Sequence, residues 1–317
     1  MPIKIHLLAN PNAPIRGQIN LKENIIMTTL RDKACLAKLK FTEFGNKKND
    51  KALALRLAAM VGGESDSFET KKNRIACPAI RQLEQLKNNC RTNSFNRLTA
   101  AYDTGERFLS GKLADKLEKE FLEFKDQHNE LKAELKLQVE DGIDSARRRL
   151  GTAFDASDYP SLEAVVGSYT MNLSYRLIPD KEDFRIDGFT DDRQAEIKRE
   201  MDAEVNDRIE GAVQSVRDRI IESVSHLGEI ASGYGENDQG KVVGRFKDTT
   251  VTKVADLAAI LDDLNVTDCP KIAQASKDLK SKLSNITSDG IKASLGERER
   301  VAKEAKSIVN NLGGLYA

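Results

Sequence analysis

The chain has 317 residues, 39% hydrophobic and 32% charged, with no Trp and only 5% aromatic residues. Its 50 Lys+Arg equal its 50 Asp+Glu, so the whole molecule carries no net attraction for polyanions. High charge with few aromatics favours helical hairpins over a sheet-built enzyme core, and the length suffices for one large domain or two modest ones.

The charge is nevertheless uneven along the chain. Residues 1–107 hold 19 Lys+Arg against 10 Asp+Glu, or +9, which leaves −9 for the remainder. Such polarity suits a nucleic-acid contact at one end or head-to-tail self-association. Cys35, Cys77, Cys90 and Cys269 show no CxxC or Cys/His metal spacing, so free thiols in a reducing cytoplasm are expected. The start of the chain lacks the apolar core of a signal peptide, and no 18-residue apolar run occurs. A cytoplasmic protein with no membrane span is therefore expected, and the sequons at Asn172, Asn265 and Asn285 are read as coincidences.

In chain order, residues 1–22 read as irregular, with Pro2, Pro11 and Pro14 and a short strand at Ile3–Leu8. A helix is expected from Glu23 to Phe41, and another over Lys51–Val61, stopped by Gly62-Gly63. After the polar linker Glu64–Thr70 comes a helix over Ala79–Cys90, and the chain then loosens toward Tyr102-Asp103-Thr104-Gly105. The dominant element follows. Leu113, Leu117, Phe121, Phe124, Leu131, Leu135, Val139, Ile143, Ala146 and Leu150 form one helical stripe, with His128 filling its widest gap. The spacing is coiled-coil-like from Leu117 to Leu135 and then slips. His128 reads as a helix-packing residue, since no Cys or second His stands at ligand spacing.

Residues 151–190 are the least helical section, with a short helix from Asp158-Tyr159-Pro160-Ser161 through Val166. Met171–Ile178 alternates with period two, Pro179–Asp183 reads as a turn, and Phe184–Ile186 returns as a partner strand, giving a small β-hairpin. Thr190-Asp191-Asp192 then caps a second long helix to about Ser232. Its stripe holds Ile197, Met201, Val205, Ile209, Val213, Val216, Ile220 and Val224, continued by Leu227 and Ile230. Three shorter helices, about Val254–Leu264, Pro270–Leu283 and Leu295–Leu312, should close a bundle. The expected fold is mainly α: an elongated antiparallel hairpin of two long helices, coiled-coil-like, with a β-hairpin insert at its tip and a terminal bundle. The domains are a basic region 1–105, a helical hairpin 106–235 with its insert near 151–190, and a bundle 236–317.

No motif carries a reaction. Gly235–Val242 fits the GxxxxGK part of a phosphate loop, but Val242 stands where Mg²⁺ needs Ser or Thr, and a helix precedes it in place of a strand. The acids Asp180, Glu182, Asp183, Asp187, Asp191 and Asp192 decorate a turn and a helix start, which suits capping better than metal binding. No GxSxG, no HExxH and no paired Cys/His occurs. No catalytic, metal or cofactor residue is assigned, and no cofactor is expected. The basic segment is a candidate for nucleic-acid contact: Arg31, Lys33, Lys38, Lys40, Lys47, Lys48 and Lys51, with Phe41 and Phe44 placed to stack on bases. An ordinary amphipathic helix with solvated lysines and two core phenylalanines explains the same residues.

Three phrases carry a resemblance: Tyr102–Leu109; Leu150-Gly151-Thr152-Ala153-Phe154-Asp155-Ala156-Ser157-Asp158-Tyr159-Pro160-Ser161; and Leu177-Ile178-Pro179-Asp180 running into Asp183-Phe184-Arg185-Ile186. Together they resemble an uncharacterised, mostly helical protein family of tailed bacteriophages, over about residues 100–235. Some relatives are encoded near ring-forming AAA+ ATPases of the MoxR type, which implies an adaptor or substrate role in the host cytoplasm and supplies no catalytic residue. The expected function is a non-enzymatic interaction protein that self-associates or binds a protein partner. Nucleic-acid binding in phage DNA metabolism is the alternative, and a capsid-scaffold role fits the composition equally.

Overall fold

The computed structural model describes residues 30–236, 242–244, 246–283 and 285–313. The protein is mainly α with a small antiparallel sheet. The strand expected at Ile3–Leu8 lies outside the described residues, as do most of the phosphate-loop-like residues after Glu236. The chain divides into two compact units. One gathers Leu36–Leu109 with Leu113–Arg176, and the other gathers residues 177–313 with 30–35 and 110–112.

The first unit is built on a four-stranded sheet. Its strand β1 (Ala34–Thr42) corrects the helix expected over Glu23–Phe41: only residues 30–33 of the described part are helical. From Ala37 to Thr42 apolar and polar residues alternate, so Leu39 is buried while Lys38 and Lys40 face outward, a period-two pattern that a helix would scramble. Next come β2 (Lys47–Asn49), the helix α1 (Lys51–Val61) and β3 (Lys71–Asn73), with β2 and β3 paired antiparallel. Pro78 opens α2 (Pro78–Asn89), which a π-helical turn, Cys90–Phe95, prolongs. The segment expected to loosen is a hairpin, β4 (Ala100–Asp103) and β5 (Glu106–Ser110), turning at Thr104-Gly105, where Gly105 takes φ 81°.

The long helix α3 (Gly111–Leu150) follows directly. At 1.5 Å per residue its 40 residues span about 60 Å. Leu117, His128 and Leu135 of the expected stripe are buried, and Phe121, Phe124 and Leu131 are half-buried. Leu135 and Val139 share a core with Phe44, Ile75, Ala79, Ile80 and Leu83, and with Val165 and Tyr169 from beyond α4 (Leu162–Gly167). At Gly142 a Cβ would lie 2.8 Å from the Ile75 side chain, so the approach requires glycine. Strand β6 (Thr170–Arg176) was expected to pair with Phe184–Ile186. It pairs with β1 instead, Leu36 opposite Arg176 and Thr42 opposite Thr170, which gives the order β4-β5-β1-β6. Lys181–Asp183 forms a 3-10 turn and Phe184–Ile186 is not a strand, so the expected β-hairpin between Met171–Ile178 and Phe184–Ile186 does not form.

The second unit rests on α5 (Asp191–Gly233), whose first turn is capped by the Thr190 hydroxyl. After it come α6 (Asp248–Leu264), α7 (Pro270–Asp278) with a π-helical extension to Leu283, α8 (Ser288–Ala293) and α9 (Leu295–Gly313). Helix α9 runs antiparallel to α5: Gly228 faces Ala305, while Arg217 donates to the Leu312 carbonyl. Of the α5 stripe, Val205, Val216, Ile220 and Val224 are buried, and Ile197, Met201, Ile209 and Val213 are half-buried. Thus α3 shares a core within the first unit at Leu135 and Val139, and α5 packs against α9 within the second.

Candidate interaction surface

Helix α1 begins where the β2–β3 ribbon ends. The Asp50 carboxylate caps it, accepting from the Leu53 N–H at 3.0 Å, and Gly62 stops it in the left-handed region at φ 72°. Its sequence, Lys-Ala-Leu-Ala-Leu-Arg-Leu-Ala-Ala-Met-Val, holds two charged residues and no acid. Only Ala54 and Ala58, one turn apart, are buried. Small side chains on that side let the helix lie close to the unit, and the large ones are left outside. Met60 is 84% exposed, Val61 61% and Leu55 59%, with Leu53 and Leu57 also exposed. Between α1 and residues 65–70 lies a cleft of about 340 Å³, lined by Ala54, Leu55, Asp66 and Phe68 among others.

A buried charge cluster holds the root of this helix. Asp158, 4% exposed, lies between Lys48 and Lys72, the neighbouring residues of the paired ribbon strands. Lys72 stands 2.5 Å from Asp158 and 3.4 Å from Asp50, and donates to the Ala153 carbonyl at 3.1 Å. The hydrogen bonds from Lys48, and next from Lys72, hold the Asp158 carboxyl below the usual carboxylate range. Asp158 in turn holds Lys72 above the usual lysine range. The Leu53 N–H is the main reason the Asp50 carboxyl is lowered. Around the cluster, Arg74 donates to the Asp158 carbonyl at 2.7 Å with its guanidinium 4.1 Å from the Phe44 ring centre, and the Tyr159 hydroxyl donates to the Arg74 carbonyl. The Asp-Tyr pair therefore anchors the ribbon and, through Asp50, the first turn of α1.

The nucleic-acid candidates are dispersed by the fold. Arg31 pairs with Asp180 at 3.2 Å and Asp183 at 3.1 Å, and Lys33 with Asp268 at 2.6 Å, all in the second unit. In the first unit Lys38 lies 3.8 Å from Glu106, and Lys48 is taken by Asp158. Phe44 is buried beneath Arg74, and Phe41 is half-buried with the Arg91 guanidinium 5.8 Å from its ring. Lys40, Lys47 and Lys51 are exposed and make no ion pair among the described residues. The linear +9/−9 split also evens out: the first unit holds 23 Lys+Arg against 21 Asp+Glu, because α3 brings its acids to the basic segment.

Near residue 180 the acids serve a turn and an ion pair. Asp180 accepts from the Glu182 N–H, and with Asp183 it holds Arg31. No group of three or more His, Cys, Asp or Glu among the described residues is arranged to hold a metal ion. His128 is buried, and burial together with Lys132 keeps its imidazole below the usual range. Burial pushes the Cys90 thiol up to about 12, far from the thiolate a nucleophile needs. No helix among the described residues is long and apolar enough to cross a membrane. The exposed apolar side chains of α1 are not among the residues singled out from the sequence. Their signal was present, since an eleven-residue helix without a single acid has more apolar residues than one buried stripe can use. No family model, curated protein or solved structure matches the chain.

Proposed function

We propose that this is a non-enzymatic interaction protein that works by presenting α1 to another protein chain. The observation that carries the reading is the exposure of Leu53, Leu55, Leu57, Met60 and Val61 on one well-capped helix. Large apolar side chains exposed together on one helix of a folded protein point to a contact site, and covering each such side chain contributes up to about 1.5–3 kcal/mol. The salt-bridged root supports the same reading, because a fixed helix loses little entropy on docking. The adaptor role suggested by the phage-type resemblance, with an AAA+ ATPase ring as partner, and the capsid-scaffold role both belong to this proposal.

A photo-crosslinking amino acid at position 60, introduced into the full chain in its native cell, tests the proposal. A covalent adduct with a protein chain is expected. Irradiation that yields no protein adduct from position 60 or from position 55 contradicts it.

Nucleic-acid binding is the second reading, favoured by exposed Lys40, Lys47 and Lys51. Oligonucleotide binding that falls steeply between about 50 and 200 mM salt would support it. Binding unchanged after neutralising Lys38, Lys40, Lys47 and Lys48 together removes it.

A further inference from the structure

The β2–β3 ribbon has two faces. Neighbouring residues of a strand point opposite ways, so the ribbon turns Lys48 and Lys72 to Asp158 and leaves Lys47 and Asn73 to a second place. That place is a cleft of about 550 Å³ within the first unit. Phe44, Ile75 and Ile80 line it, and all three are buried, which gives it an apolar floor. Its wall is fixed by Asn46, whose side chain donates to the Ile75 carbonyl and accepts from the Ile75 N–H, each at 2.7 Å. The Arg74 N–H donates back to the Asn46 carbonyl at 2.9 Å. The volume falls in the range of small-molecule sites, and a fixed wall loses little entropy on binding.

Three cations reach the cleft from three elements: Lys47 of β2, Arg81 of the first turn of α2 and Arg149 of the last turn of α3. All three are exposed, and none makes an ion pair among the described residues. Two carboxylates also line it. Glu43 is held by Lys87 at 2.5 Å, while Glu84 makes no ion pair among the described residues. Three cations against one uncommitted carboxylate leave an excess of two positive charges above an apolar floor.

We propose that this cleft binds a small phosphate monoester with an apolar body. Its phosphoryl group meets Arg81, Arg149 and Lys47, and its body lies on Phe44, Ile75 and Ile80. A phosphate monoester carries close to two negative charges at neutral pH, which matches the excess, whereas a carboxylate carries one. Guanidinium forks also fit phosphoryl oxygens in pairs. Glu84 disfavours a second anionic group on the body. Cys77 lines the same cleft, and burial is the main reason its thiol lies above the ordinary range, so it serves as wall and not as nucleophile.

Titration of the full purified chain with phenyl phosphate, followed by NMR from about 0.1 to 20 mM, tests the proposal. A ligand of this size gives a dissociation constant of about 1 mM at ordinary efficiency per atom. Inorganic phosphate, which lacks the body, and phenol, which lacks the charge, should each bind about tenfold more weakly or worse. Arg81→Gln and Arg149→Gln should each raise the constant about five- to tenfold, while Lys119→Gln, elsewhere on α3, should leave it within about twofold. All three positions are exposed, and circular dichroism checks that the variants remain folded. Saturating phenyl phosphate should also slow alkylation of Cys77 several-fold. Absence of saturable binding, affinity indifferent to both arginines, or an unprotected Cys77 overturns the site. A single-stranded oligonucleotide that binds more tightly than phenyl phosphate through the same two arginines overturns the small-ligand class. The proposed role of α1 stands or falls separately, by crosslinking at positions 55 and 60.

Discussion

Helices α1 and α2 lie in the same unit, are nearly equal in length, and treat their apolar residues in opposite ways. Helix α2 is the more polar of the two, yet Ala79, Ile80, Leu83 and Leu86 all lie on one side and are buried. Helix α1 is the more apolar, yet buries only two alanines. Burial follows the placement of apolar residues around a helix, and α1 has them on too many sides for one packing face to absorb. That surplus leaves the large side chains of α1 exposed where those of α2 are covered.

Substitutions should separate the two helices cleanly. The largest effect is expected at the shared support. Asp158→Ala leaves Lys72 charged and buried beside one remaining, more distant carboxylate, and should cost about 3–5 kcal/mol in urea unfolding. In the core helix, Leu83→Ala removes a side chain that is 4% exposed and should cost about 2–5 kcal/mol. In the contact helix, Leu55→Ala should change stability by no more than about 0.5 kcal/mol. Equal losses at positions 83 and 55 would erase the distinction.

The pH dependence sharpens the role of the support. The folded carboxyls of Asp158 and Asp50 titrate below their unfolded values, so their contribution is complete above about pH 4 and is lost as pH falls through the lower folded values. Lys72 titrates above its unfolded value, so its contribution is complete below about pH 10 and is lost as pH rises through the folded value. Stability should therefore form a plateau between these limits. Asp158→Asn should reduce the acid-side loss, and an unchanged acid limb in that variant would refute the assignment.

The helices were legible where local signals suffice. The bounds of α1, α3 and α5 follow from a stripe with a cap or a glycine stop, as with Thr190 before α5 and Gly62 after α1. The sheet was not, because its information is nonlocal. β1 carries only a six-residue alternation, Ala37–Thr42, and its partner β6 lies more than 120 residues later. β6 was recognisable by its alternation, but alternation does not name a partner, and the nearest downstream segment was the wrong one. The ion pairs of the basic segment were hidden for a related reason. Linear proximity says nothing about the carboxylates that folding delivers, and Asp158 and Asp180 reach Lys48 and Arg31 from more than 100 residues away. Exposure of α1 was hidden for the opposite reason, since a Leu-rich helix is ordinarily assigned to the core.

The central claim is that the large apolar side chains of α1 serve contact and contribute little to the fold. Its most direct test is the unfolding free energy of the Leu53→Gln/Leu57→Gln/Met60→Gln variant. The account predicts a loss of no more than about 1.5 kcal/mol, three surface substitutions of about 0.5 kcal/mol each, with an unchanged circular dichroism spectrum. A loss of about 4 kcal/mol or more, the scale of core disruption, would mean that these side chains are covered in the folded chain and would contradict the account.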